Sequence, residues 1–156
     1  MSARQEPDET ATGDGLSKRD YELLAEFRHL LRRFLAFSEE SARRHGLTSQ
    51  QHQALLAVKG FPGARSLTVG ELAARLDIRH HSAVGLVDRL EARRLVKRVI
   101  DPDDRRQVFV GLTPAADAIL ARLTAAHRRE LRQLAPNLSV LLARLRGASD
   151  DPEAPR

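Results

Sequence analysis

The sequence predicts a mainly α fold with a small β-hairpin (α+β), on three observations. Apolar residues recur at i, i+3 and i+4 spacing over long stretches. Two capping boxes, Thr48 to Gln51 and Thr68 to Glu71, mark helix starts, because each pairs a hydroxyl with an amide or carboxyl group that reaches back to the cap's own N–H. Only Leu95 to Ile100 and Gln107 to Leu112 are β-rich, and Asp101-Pro102-Asp103-Asp104-Arg105-Arg106 between them reads as the charged tip of a hairpin.

From Asp20 to about Arg44, Leu23, Leu24, Phe27, Leu30, Leu31, Phe34, Leu35 and Phe37 form one apolar stripe, and Gly46 suits the left-handed residue that ends a helix. At about 1.5 Å per residue this helix is roughly 35 to 40 Å long, more than a small domain covers. The second helix follows Thr48 to about Lys59, with Ala54, Leu55 and Val58 inward, and stops at Gly60-Phe61-Pro62-Gly63. The third covers about Val69 to Leu76, with Leu67 and Leu72 as partners of a hydrophobic staple. After Asp77-Ile78-Arg79 a fourth runs from about His80 to Arg93, so a helix-turn-helix is expected with the hairpin as its wing. A minimal strand is expected at Ser66-Leu67. Thr113-Pro114, a cap followed by proline, opens a helix to about Leu134; Pro136 is expected to break it, and a last helix to carry Leu138, Leu141, Leu142 and Leu145.

The resulting organisation is a winged helix-turn-helix at 48–112 within a folded part at 18–146, flanked by terminal dimerisation helices at 20–45 and 113–146. The terminal helices carry more leucine than a helix-turn-helix core can bury, which predicts a second copy as partner and hence a homodimer. Residues 1–17 and 147–156 are acidic, small and polar, and are expected to be flexible tails.

The net charge of +5 conceals an uneven distribution: the two tails carry −3 and −2, leaving +10 on the folded part. Such a domain attracts polyanions, nucleic acid foremost. The absence of cysteine excludes disulfides, thiolate zinc sites and cysteine-based redox sensing. No apolar run resembles a signal peptide or a membrane span, so a cytoplasmic protein without membrane partners is expected. Glycine-rich phosphate loops and nucleophile motifs are absent, so no catalytic residue and no cofactor is assigned. His29, His45, His52 and His127 are scattered, and adjacent His80 and His81 point about 100° apart on a helix, so no metal site is assigned either.

Two segments carry a family resemblance. Asp101-Pro102-Asp103-Asp104-Arg105-Arg106-Gln107-Val108-Phe109-Val110-Gly111-Leu112-Thr113 resembles the D-x-x-D-x-R wing, and following strand, of the MarR family of bacterial regulators. Ser82-Ala83-Val84-Gly85-Leu86-Val87-Asp88-Arg89-Leu90-Glu91 resembles that family's recognition helix. The resemblance extends roughly from Leu23 to Leu145 and implies a homodimer reading a pseudo-palindromic operator in double-stranded DNA. It further implies a regulator, with repression as the expected outcome and release by a small-molecule effector. The sequence departs from the pattern at Arg79, where the family often has serine as a cap, and at Arg94, where it often has glycine. Val84 and Gly85 likewise replace the family's common threonine and arginine.

On the helical wheel Ala83, Leu86, Val87 and Leu90 face inward, while His81, Gly85, Asp88 and Ala92 lie opposite. His81 and Ser82 are candidate base contacts, Val84 offers methyls to thymine, and Gly85 permits close approach to the duplex. His80 falls nearer the core side, where a structural histidine is expected, although it stays among the DNA-binding candidates. Arg89, Arg93, Arg94, Lys97 and Arg98 are candidate phosphate contacts, and Arg105 and Arg106 are placed at or in the minor groove. Asp101 and Asp104 are expected to orient a wing arginine. Phe34, Phe37, His45 and His52 are the weakest set, offered as neighbours of an effector. The rival class is a winged helix used only for protein contacts, which would show no salt-dependent binding to duplex DNA.

Overall fold

The computed structural model describes residues 16–148, and most of the acidic tails, 1–15 and 149–156, lie outside the described residues. The elements are α1 (Lys18–Arg44), α2 (Ser49–Lys59), α3 (Val69–Leu76), α4 (His80–Ala92), β1 (Val96–Ile100), β2 (Val108–Leu112) and α5 (Pro114–Ala148). They fall into two compact units, residues 36–130 and the paired segments 16–35 and 131–148. The larger unit takes in the end of α1 and the first half of α5 together with the winged helix.

Local chemistry sets the boundaries in residues 36–130. Both capping boxes form: Gln51 N–H donates to Thr48 Oγ1 at 3.1 Å, and Glu71 N–H to Thr68 Oγ1 at 3.2 Å. Arg65 grips Glu71 through both carboxylate oxygens at 2.6 and 2.8 Å, and this bond, with the one from Thr68 N–H, brings the Glu71 pKa down to about 2. Three helices end in the same Schellman geometry, α1 by Leu47 N–H to Ala42 O, α3 by Ile78 N–H to Ala73 O and α4 by Leu95 N–H to Leu90 O. Each requires a left-handed residue: Gly46 adopts φ 73°, Asp77 52° and Arg94 56°. Only the first is glycine, so Asp77 and Arg94 hold that backbone at a cost of about 1 kcal/mol apiece.

The hairpin pairs antiparallel, Val96 opposite Leu112 and Ile100 opposite Val108. A third segment touches it one residue beyond the expected minimal strand: Thr68 bridges Phe109, and Val110 N–H donates to Leu67 O at 2.9 Å. Leu55, Leu67, Leu72, Leu86, Leu90, Leu123, Val87, Val96 and Val110 are fully buried, so α2 to α5 and both strands share one core.

The expected break at Pro136 is absent, because α5 is one helix with that proline inside it. Proline removes one backbone hydrogen bond and costs about 3 kcal/mol in a helix interior. Against this, Leu134, Leu138 and Leu141 keep helical phase across it, and Leu134 and Leu141 bury with Leu23 and Leu30 of α1. Removing each such leucine from water contributes about 1.5–3 kcal/mol, and a break would take half of the stripe out of register. Among the described residues no helix is long and apolar enough to cross a membrane.

Candidate nucleic-acid interface

Helix α4 presents its first turn to solvent. His80, His81 and Ser82 are exposed, whereas Ala83, Leu86, Val87 and Leu90 are buried as the wheel requires. Two expectations need correction. His80 does not lie on the core side: as the first residue of the helix it precedes Ala83, where the buried stripe begins. Val84 is only half exposed and packs on the core, so part of its methyl surface is already used. Arg79 supplies no side-chain cap, which leaves the N-terminal end of α4 without that tie.

Around Gly85 nothing protects the glycine except a mobile side chain: an added Cβ would lie 3.3 Å from Arg89 Nη1. The fold therefore does not need glycine here, and its absence of bulk leaves the surface beside Arg89 open. Among the described residues Arg89, Lys97 and Arg105 make no ion pair, so their charges face solvent uncompensated.

Arg98 departs from the expected phosphate contact. Its guanidinium binds Asp88 at 2.6 Å and Glu91 at 3.2 Å, so β1 is tied to α4 and the charge is paired with two exposed carboxylates at the surface. Burial opposes the Arg98 cation, but the bonds to Asp88 and Glu91 more than offset it and its pKa rises.

The wing tip is ordered by its carboxylates. Asp101 Oδ1 accepts from Asp103 N–H at 2.8 Å, an Asx turn that needs no arginine. Asp104 Oδ1 accepts from both the backbone N–H and Nε of Arg106 at 3.1 Å, which holds the Asp104 carboxyl below its ordinary value. Asp104 thus orients Arg106 while that side chain remains 92% exposed, and Arg105 beside it carries no described partner carboxylate.

Sequence separation concealed a histidine cluster within residues 36–130. The His52 and His127 ring centroids lie 4.8 Å apart, and Phe37 meets His127 edge-on at 5.3 Å. His127 Nδ1 donates to Leu123 O at 2.7 Å, its Nε2 shares a hydrogen bond with the Ser38 hydroxyl at 2.9 Å, and His45 Nδ1 donates to Ser41 O at 2.8 Å. His52 is 3% exposed with Nδ1 unpartnered, and burial first, then His127 and His45, lowers its pKa to about 4. Phe37, His45 and His52 are therefore brought together, whereas Phe34 belongs to the other unit. No pattern within a single sequence announces His127 as their neighbour. Among the described residues no group of three metal-ligating side chains is assembled.

Comparison with known proteins identifies the family and the fold. A MarR family profile matches residues 45–107. The HTH-type transcriptional repressor NicR of Pseudomonas putida is 31% identical over 125 residues, 77% of each protein. The regulator YsmB of Bacillus subtilis is 32% identical over 68 residues, so this chain spans about half (47%) of that relative. Among solved structures, a MepR variant of S. aureus bound to an oligodeoxyribonucleotide shares the fold at TM-score 0.62 and 21% identity, over 80% of this chain and 97% of that one. CouR of Rhodococcus jostii bound to p-coumaroyl-CoA does so at TM-score 0.63 and 22% identity, over 86% and 98%.

Proposed function

The chain belongs to the MarR family of DNA-binding transcriptional regulators, and from that premise we propose that it binds duplex DNA as a homodimer and represses from a pseudo-palindromic operator. One observation carries the reading: an exposed α4 start, His80 to Ser82, is accompanied by the uncompensated cations Arg89, Lys97 and Arg105 on α4, β1 and the wing. Polar side chains and imidazoles at a helix N-terminus suit base edges in the major groove, while guanidinium and ammonium groups suit phosphates. Arg105 and Arg106 project from the wing as minor-groove candidates, with Arg106 aimed by Asp104.

The homodimer is supported by apolar surface on the terminal helices. Tyr21, Leu24 and Leu142 are 56%, 62% and 49% exposed, a costly face for a monomer and an ordinary one for a subunit interface. Two copies then present their α4 helices about one duplex turn, roughly 34–36 Å, apart. A small-molecule effector is the proposed release signal. His52, buried with an unpartnered ring nitrogen beside His127 and Phe37, is the proposed receiving end for a hydrogen-bonding ligand.

Selection of bound fragments from a random duplex pool tests the reading. Two half-sites in inverted orientation are expected, and a pool without enrichment refutes it. On the selected duplex Arg105→Ala should flatten the salt dependence by about one phosphate contact, whereas Arg98→Ala should leave it unchanged.

A further inference from the structure

We propose that Arg93 is a positioning residue for DNA reading, because its bond to Gln51 fastens the C-terminal end of α4 to the first turn of α2 and thereby sets the angle at which α4 meets the duplex. Gln51 is 7% exposed, and its Oε1 accepts two donors, Thr48 N–H at 3.1 Å within the capping box and Arg93 Nη1 at 3.0 Å from 42 residues away. The other arm of the guanidinium lies over the end of α1: a Cβ on Gly46 would stand 3.6 Å from Arg93 Nη2. Gly46, with φ 73°, is the residue that turns α1 into α2. One side chain therefore sits where three helices meet, and its bond is charge-assisted on an oxygen shielded from water.

The consequence follows from leverage. Helix α4 has 13 residues and is about 20 Å long, so a tilt of about 3° about its C-terminal end moves its first turn by about 1 Å. Recognition contacts need placement within about 0.5 Å. No side-chain cap holds the N-terminal end. Polar ties lie instead in the C-terminal half, Arg93 to α2 and Arg98 from β1 to Asp88 and Glu91. Arg93 makes no ion pair among the described residues, so a reading from charge alone would assign it to phosphate; the bond to Gln51 assigns it to alignment.

This inference rests on α4 being the helix that reads DNA. It is tested on the full chain by measuring affinity for the selected duplex against salt for wild type, Arg93→Ala, Gln51→Met, the double variant and Gln51→Glu, with circular dichroism confirming that each is folded. Arg93→Ala leaves the capping box of α2 intact, and Gln51→Glu keeps oxygens for both donors. Arg93→Ala and Gln51→Met should each weaken binding about three- to tenfold with the salt slope unchanged, the double variant should be no worse than the worse single, and Gln51→Glu should bind like wild type. If Arg93→Ala lowers the slope by about one while Gln51→Met binds normally, Arg93 is a phosphate contact and the inference falls. It falls equally if both variants bind like wild type or if their effects add. Wild type that ignores duplex DNA overturns the functional reading itself, and this inference with it.

Discussion

Residues 36–130 close their own core, whereas the paired segments 16–35 and 131–148 do not. In the first, leucines and valines from four helices and both strands are fully buried, the starts of α2 and α3 are held by capping boxes, and α1, α3 and α4 end in Schellman bonds. In the second, Leu23, Leu30, Leu134 and Leu141 are the buried side chains among the described residues, while Leu24 and Leu142 on the same helices stand in solvent. One region thus buries its apolar side chains within itself, while the other leaves large apolar side chains exposed. On the proposed function, a DNA-reading head keeps its shape before it meets the duplex, and the open apolar surface is what a second copy would cover.

The largest effect that sharpens this comparison belongs to the closed core. Leu86→Ala should destabilise the fold by about 2–5 kcal/mol in denaturant titration, because its side chain is 1% exposed and no solvent can fill the cavity. A loss below about 1 kcal/mol would mean that the core is looser than described.

Acid should find the same region through His52. Its pKa is near 6.5 unfolded and about 4 folded, so the unfolded chain binds the extra proton between those values. Stability is complete above pH 6.5 and falls as pH drops towards 4, by about 1.4 kcal/mol per unit and about 3 kcal/mol in all. His52→Gln should flatten the pH dependence of melting in that window, and a profile identical to wild type would refute the assignment. The Glu71 contribution lies lower, present above about 4.5 and lost as pH falls towards its folded value of about 2.

In the open region the same class of change should act on association instead. Leu24→Glu with Leu142→Glu should weaken the dimer at least about tenfold by sedimentation, while circular dichroism stays unchanged. A pair of variants that unfolds, or that stays dimeric, would erase the distinction between the two regions.

The smallest effects lie at the ends of α4. Arg94 adopts φ 56°, so Arg94→Gly should add about 1 kcal/mol, and Arg79→Ser, which restores a cap, about 0.5–1 kcal/mol. Thermal melting reads both, and a destabilised Arg94→Gly would show that the arginine side chain outweighs its backbone cost.

These regions also differ in how legible they were. The winged helix could be read because its signals are local: Thr48 with Gln51, Thr68 with Glu71, and a charged turn between β-rich segments fix starts, stops and register within a few residues. Pro136 misled because the local rule for proline is opposed by leucines that bury against a helix about a hundred residues away in sequence. Distant pairing also hid the site chemistry, since nothing near Arg93 names Gln51, nothing near His52 names His127, and Arg98 reads as a free cation until Asp88 and Glu91 are seen beside it. His80 shows a lesser failure, a wheel phase extended one residue past the packed part of the helix.

On the proposed function, residues 36–130 form a cationic reading head that a dimer presents twice. Sedimentation of the protein with its selected duplex at low ionic strength tests it most directly. Two protomers on each duplex are expected. A single protomer per duplex, or protein and DNA sedimenting apart, would contradict it.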